Sequence, residues 1–140
     1  MSKSVKKNSK SIKVKKNSAT ERVCKQDVSF SFTFMTTNNR FNFKACDEKI
    51  KALLIDRLEE ISKHEFAYWM GKDKKHGLEM LPAEIIRFSP NNLQLTSDDK
   101  VIVFRFGREQ YRIICFKLGN CPILHIIGFD LKFNAYKHGS

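Results

Sequence analysis

Arg105 and Arg112 are the residues whose spacing most directly suggests chemistry. They flank Gly107–Gln110, a turn between two apolar, β-branched runs, Val101–Phe106 and Tyr111–Leu118. With that turn, Phe106 faces Tyr111 and Arg105 lies opposite Arg112. Like charges directly across a sheet repel, so this placement costs stability unless something anionic lies over the pair. Arg108, Lys117, Lys132 and His138 would extend the basic face. An RNA phosphate is one candidate occupant, because arginine forks match phosphate oxygens and rings such as Tyr111 or Tyr136 can stack on a base. The plainer reading is the solvated face of an antiparallel sheet, with Glu109 or Asp98 as charge partners.

Other site chemistries find less support. A zinc site needs about four converging nitrogen or sulfur ligands at short paired spacings. Cys24, Cys46, Cys115 and Cys121 are scattered, the histidines are spread from His64 to His138, and neither CxxC nor HExxH is present. No metal site is expected. Gly107, Gly119 and Gly128 are isolated and form no phosphate-binding glycine pattern, so no nucleotide cofactor is expected either. No local signature nominates a serine or cysteine nucleophile.

The elements that must position the arginines lie mainly in the last forty residues. Val101–Phe106, Tyr111–Leu118 and Ile123–Phe129 read as a three-stranded antiparallel meander. Gly119-Asn120 suits a type II′ turn, since glycine tolerates positive φ. Asp130 falls at the end of the third strand. Upstream, Val28–Phe34 alternates phenylalanine with Ser and Thr, the period of a half-buried strand. Arg40–Lys44 repeats the alternation over a shorter length, as a hairpin or edge strand. Asp47 to about Ile61 places Ile50, Leu53, Leu54, Leu58 and Ile61 on one stripe, predicting a helix. Ser62 and Glu65 have capping-box spacing and predict a second helix over Lys63–Met70. His76–Leu81 reads as a short strand or extended coil ending at Pro82, Glu84–Phe88 as a strand or turn, and Ser89–Lys100 as a surface loop.

The chain has 140 residues, enough for one domain with a real core, and it holds twelve phenylalanines. The net charge of +11 is unevenly placed. Residues 1–22 hold eight Lys or Arg against the single acid Glu21, a net +7, which leaves +4 for the remainder. That segment is too polar to fold alone, so residues 1–25 are expected to form a disordered basic arm and residues 26–140 the domain. The arm is either a solubilising tail or a salt-sensitive phosphate-backbone contact. No run approaches the ~20 apolar residues of a membrane span. No leader is evident and the cysteines show no disulfide framework, so a reduced, cytoplasmic protein is expected.

The run YRIICFKLGNCPILHIIGFDLKFNAY resembles the arginine-bearing hairpin and closing motif of the RelE-like toxin superfamily and related small phage or mobile-element proteins. The order of a helical hairpin followed by an antiparallel meander is also similar. The likeness covers roughly residues 28–138, with detail from about Tyr111 onward. It implies an α+β fold, a twisted antiparallel sheet with the C-terminal meander packed against two helices. It also implies an mRNA endoribonuclease, free or ribosome-associated, neutralised by a small acidic antitoxin. Arg112 would match the strand arginine at the scissile phosphate, and Asp130 and Tyr136 the ends of the closing motif. Where that pattern often has His, this chain has Phe133.

Cleavage of this kind is attack of a 2′-OH on its own phosphate. It requires a base, an acid and cations for the developing charge. Arg105 and Arg112 would stabilise charge, and His76, Glu79, Tyr136 and His138 are the candidate proton carriers. The alternative is a non-catalytic phage or mobile-element protein that binds a host protein or nucleic acid through the same basic face. A purely structural interaction module is the third reading.

Overall fold

The computed structural model describes residues 26–137. The expected basic arm, residues 1–25, and His138 lie outside the described residues.

The meander forms as its turn signals suggest. Strands β3 (Lys100–Phe106), β4 (Tyr111–Lys117) and β5 (Ile123–Asp130) pair antiparallel in sequence order. Phe106 pairs with Tyr111, Arg105 with Arg112, and Arg112 in turn with Asp130. A bulge at Ile114/Cys115 shifts the β4–β5 register. Gly119 has φ 61° and the Cys121 N–H donates to the Leu118 carbonyl at 3.4 Å, so the second turn is centred on Gly119-Asn120. Pairing resumes at Lys117 and Leu124, beyond Pro122.

Two further strands flank the meander. Strand β2 (Leu78–Pro82) lies antiparallel on β3 and ends at its proline, which an edge strand tolerates. Strand β1 (Ser29–Ser31) lies parallel to β5, pairing Phe30 with Leu124. The order is therefore β1-β5-β4-β3-β2, and the sheet is mixed rather than wholly antiparallel as expected. Alternation of apolar residues identifies a half-buried strand but carries no information about its direction. Direction here follows from where the chain enters, with Val28 N–H held by the His64 carbonyl and Ser29 N–H by that of Pro122.

Strand β1 is also shorter than Val28–Phe34. The Ser31 hydroxyl accepts the Thr33 N–H and meets the Thr33 hydroxyl, a local turn that competes with the ladder. Phe30 consequently packs with the helices, while Phe34 joins the opposite face. Arg40–Lys44 is neither hairpin nor edge strand. Asn42 caps a 3-10 turn, Phe43–Ala45, and the Phe41 carbonyl accepts from the Phe129 N–H.

Helix α1 (Glu48–Ile61) starts at Asp47, whose carboxylate accepts the Ile50 N–H, and buries Leu54, Leu58 and Ile61. Helix α2 is Phe66–Met70, shorter than Lys63–Met70. Ser62 does not cap it; its hydroxyl donates back to the Glu59 carbonyl at the end of α1. Glu65 is instead held extended in a bridge with Asp27, and the His64 carbonyl accepts the Val28 N–H.

Both faces of the central strands are covered. On one face Leu54, Leu58, Ile61 and Trp69 pack against Ile102, Phe104, Ile113 and Phe129. On the other, Phe41, Phe88, Ala135 and Tyr136 cover Val101, Val103, Ile114 and Ile127. Burial on both sides explains why β3 and β4 read as continuous apolar runs rather than alternating ones. Among the described residues, no helix is long and apolar enough to cross a membrane.

Candidate functional site

The arginine pair lies at the end of the sheet that carries the β3–β4 turn. Directly paired residues point to the same face, so Arg105, Arg112 and Asp130 stand three abreast on β3, β4 and β5, on the face away from the helices. Glu79 pairs with Val103 and shares that face. The compensating charge for the two arginines comes from within the chain. Asp130 is fully buried beside Arg112, with Cβ atoms of such pairs roughly 5 Å apart, and its Oδ1 accepts the Asn134 N–H at 3.0 Å. Glu109 places a carboxylate oxygen 3.6 Å from Arg105 Nη1. Asp98, the other acid considered, lies instead by the loop it shares with Thr96, near Lys117.

Arg112 is buried at 7% exposure. Its Nη1 donates to the Glu109 carbonyl at 2.7 Å, its guanidinium hydrogen-bonds the Tyr136 phenol, and the Phe133 ring lies 5.3 Å from its central carbon. Nε of Arg112 and Nε of Arg105 are both buried with no hydrogen-bond partner. Burial is the main cause that pushes the Tyr136 phenol above its ordinary value, with the arginine acting against it. Tyr136 therefore keeps its proton at neutral pH.

The turn that joins the arginines is strained. Gly107, Arg108 and Glu109 have φ of 65°, 59° and 71°, three left-handed residues in succession. For the two non-glycines that costs about 1–2 kcal/mol each. The curl presents the Glu109 carbonyl to Arg112 and its carboxylate to Arg105.

On the other side of Arg105 the sheet edge opens into a groove of about 810 Å³, walled by α1, the 72–76 loop and the β3–β4 turn. Arg57 builds its back wall. Nε donates to the Arg105 carbonyl at 2.9 Å and Nη2 to the His76 carbonyl at 2.9 Å, while Nη1 pairs with Glu60. The guanidinium lies over Trp69. One residue of α1 thus ties the entry of β2 to the exit of β3.

At the lip of this groove the His76 ring is held by Asp73, with Nδ1 2.8 Å from Oδ1, and the same oxygen accepts the His76 backbone N–H. That side-chain bond is the leading cause that holds the Asp73 carboxyl below its ordinary value. Lys72, Lys75, Arg105 and Arg108 line the groove with His76. Lys72, Lys75 and Arg108 form no ion pair among the described residues.

The structure therefore brings His76, Glu79, Arg105, Arg108, Arg112 and Tyr136 to one end of the sheet, on two sides of Arg105. Three sequence candidates fall elsewhere. Tyr111 packs on Phe106 on the helix side. Lys117 sits about 17 Å along β4 from Arg112, over the Phe66 ring and bonded to the Gly119 carbonyl. Lys132 is exposed beyond β5 and does not line the groove. Residues that sequence reasoning missed are Arg57, Lys72, Asp73 and Lys75. The three-residue spacing of Asp73 and His76 could have suggested their contact, whereas nothing local links Arg57 to Arg105.

The described cysteines are free. Cys46 and Cys115 are buried, and burial raises both thiols above their ordinary value. They are poor nucleophiles as placed. Among the described residues no group of three His, Cys, Asp or Glu side chains is placed to hold a metal ion.

No protein-family model, curated protein or solved structure matches this chain.

Proposed function

We propose that the chain acts on RNA as a RelE-like, toxin-type endoribonuclease, with the groove beside Arg105 as its reaction site. The observation that carries this reading is His76, oriented by Asp73, in a groove that Arg105 and Arg108 also line. A carboxylate on Nδ1 fixes which ring nitrogen is offered to substrate. His76 takes the proton of an RNA 2′-OH. The 2′-oxygen attacks the adjacent phosphorus, and the bond from phosphorus to the 5′-oxygen breaks. The leaving oxygen takes its proton from water, which reaches this open groove, and the product is a 2′,3′-cyclic phosphate. Arg105 and Arg108 stabilise the added negative charge. Arg112, Asp130, Glu79 and Tyr136 hold the strand end from below and position Arg105.

The resemblance would add mRNA, free or on the ribosome, as target and a small acidic antitoxin or host protein as partner. A second reading, binding without cleavage, is favoured by Arg112. The likeness places it at the scissile phosphate, yet it is covered by Glu109, Phe133 and Tyr136.

Induced expression of wild type and His76→Ala, with growth and new mRNA ends as readouts, separates these. Loss of a general base is expected to reduce cleavage by at least ~100-fold. Growth arrest with fresh ends in wild type and none in the variant supports the nuclease. Equal cleavage by the variant removes His76 from the reaction, and intact mRNA with bound RNA selects the second reading.

A further inference from the structure

Tyr68 lies on the same groove and is not needed by the reaction above. It is 39% exposed, although it belongs to the short helix that anchors Trp69 in the core. One face of its ring stacks on His64, with centroids 3.6 Å apart and planes at 12°. Its edge meets Trp69 at 88°, and the Trp69 indole N–H donates to the Ile61 carbonyl. The phenol ring is therefore fixed in orientation before anything binds. With His64 filling one face, the Lys72 ammonium, 4.7 Å from the ring centroid, lies over the other.

An aromatic plane fixed in advance, covered only by an unpaired cation, suits a nucleobase. A base gains dispersion and stacking contact with the ring, and the ammonium it displaces is free to meet the base's own phosphate. Single-strand binders combine such planes with a cationic track. Lys72, Lys75 and Arg108 supply that track here.

We propose that Tyr68, backed by His64, is the stacking seat for one unpaired base of the strand whose phosphates lie along Lys72, Lys75 and Arg108. This rests on the reading of the groove as an RNA site. A duplex keeps its bases inside its own stack and cannot fill the seat, so the seat selects an unpaired base.

The test is fluorescence anisotropy of the full chain with a short labelled 2′-O-methyl RNA, which cannot be cleaved by 2′-OH attack. The same strand with abasic nucleotides and a duplex of equal length are the comparisons. Wild type is expected to bind the intact single strand on the order of tenfold tighter than the abasic one. Tyr68→Leu, which retains apolar packing, should bind both alike at the abasic level, and Tyr68→Phe should behave as wild type. Lys75→Glu with Arg108→Glu should weaken intact, abasic and duplex probes together. A wild type that does not discriminate the abasic strand, or a Tyr68→Leu that still does, overturns the seat. If the charge reversals nevertheless weaken binding, the groove reading survives that failure. If no probe binds and charge reversal changes nothing, the groove reading falls and the seat with it.

Discussion

Arg112 and His76 are both polar residues near one sheet end, but burial gives them different work. Arg112 is held on several sides and sits beside a carboxylate that is itself out of water. Arg112→Ala would take the positive charge from beside Asp130, and breaking a buried pair costs about 3–5 kcal/mol. Urea denaturation should show that loss, with a smaller one for Arg105→Ala, which is 17% exposed in its side chain. Loss of activity in Arg112→Ala would therefore report the fold before it reported a phosphate contact. Tyr136→Phe is expected to cost about 1.5–3 kcal/mol by removing a bond to a charged group. Its pH dependence has a definite sign. The folded-state value is raised, so the contribution is complete below pH ~10, the ordinary tyrosine value, and is lost as pH rises through the folded value. Stability measured above pH 10 should fall less steeply in Tyr136→Phe than in wild type.

At the scale of elements, the face opposite the helices depends on close approach of irregular segments to the sheet. Phe88 stacks on Phe41, with centroids 4.9 Å apart, and its ring lies where a side chain of Gly128 would be. A Cβ built at Gly128 falls 2.4 Å from Phe88 Cζ and 3.0 Å from the Phe41 carbonyl oxygen. Gly128→Ala should therefore destabilise by about 1–3 kcal/mol through overpacking. Gly128→Ala combined with Phe88→Leu should recover part of it, read as the denaturation midpoint. The start of α1 offers a contrasting case of local control. Asp47→Ala removes the acceptor for the Ile50 N–H and is expected to cost about 1 kcal/mol. The first effect depends on residues forty positions apart, the second on residues three apart.

At the scale of the whole molecule, charge and layering act separately. Lys72, Lys75 and Arg108, described cations outside any ion pair, line one groove, while the largest charge excess is in residues 1–22. If both meet phosphate backbone, the logarithm of RNA affinity should fall steeply with the logarithm of salt. Deleting residues 1–22, which removes a net +7, should flatten that slope; an unchanged slope would show that the segment makes no backbone contact.

The sequence by itself determined features whose cause is short-range. The meander and its first register follow from Gly107–Gln110, because loop length and period-two pairing tie Arg105 to Arg112. Helix α1 follows from its apolar stripe and from Asp47. The tertiary structure decided what depends on long-range contact. The parallel seating of β1 is one case, since a strand's alternation is the same read either way along a sheet edge. The truncation of α2 is another, because Asp27 and Val28 claim residues that local capping would have made helical. The candidate site is the third. Its cations come from α1, the 72–76 loop and the β3–β4 turn, which meet through core packing of α1 on the sheet and through the Arg57 bonds to the Arg105 and His76 carbonyls.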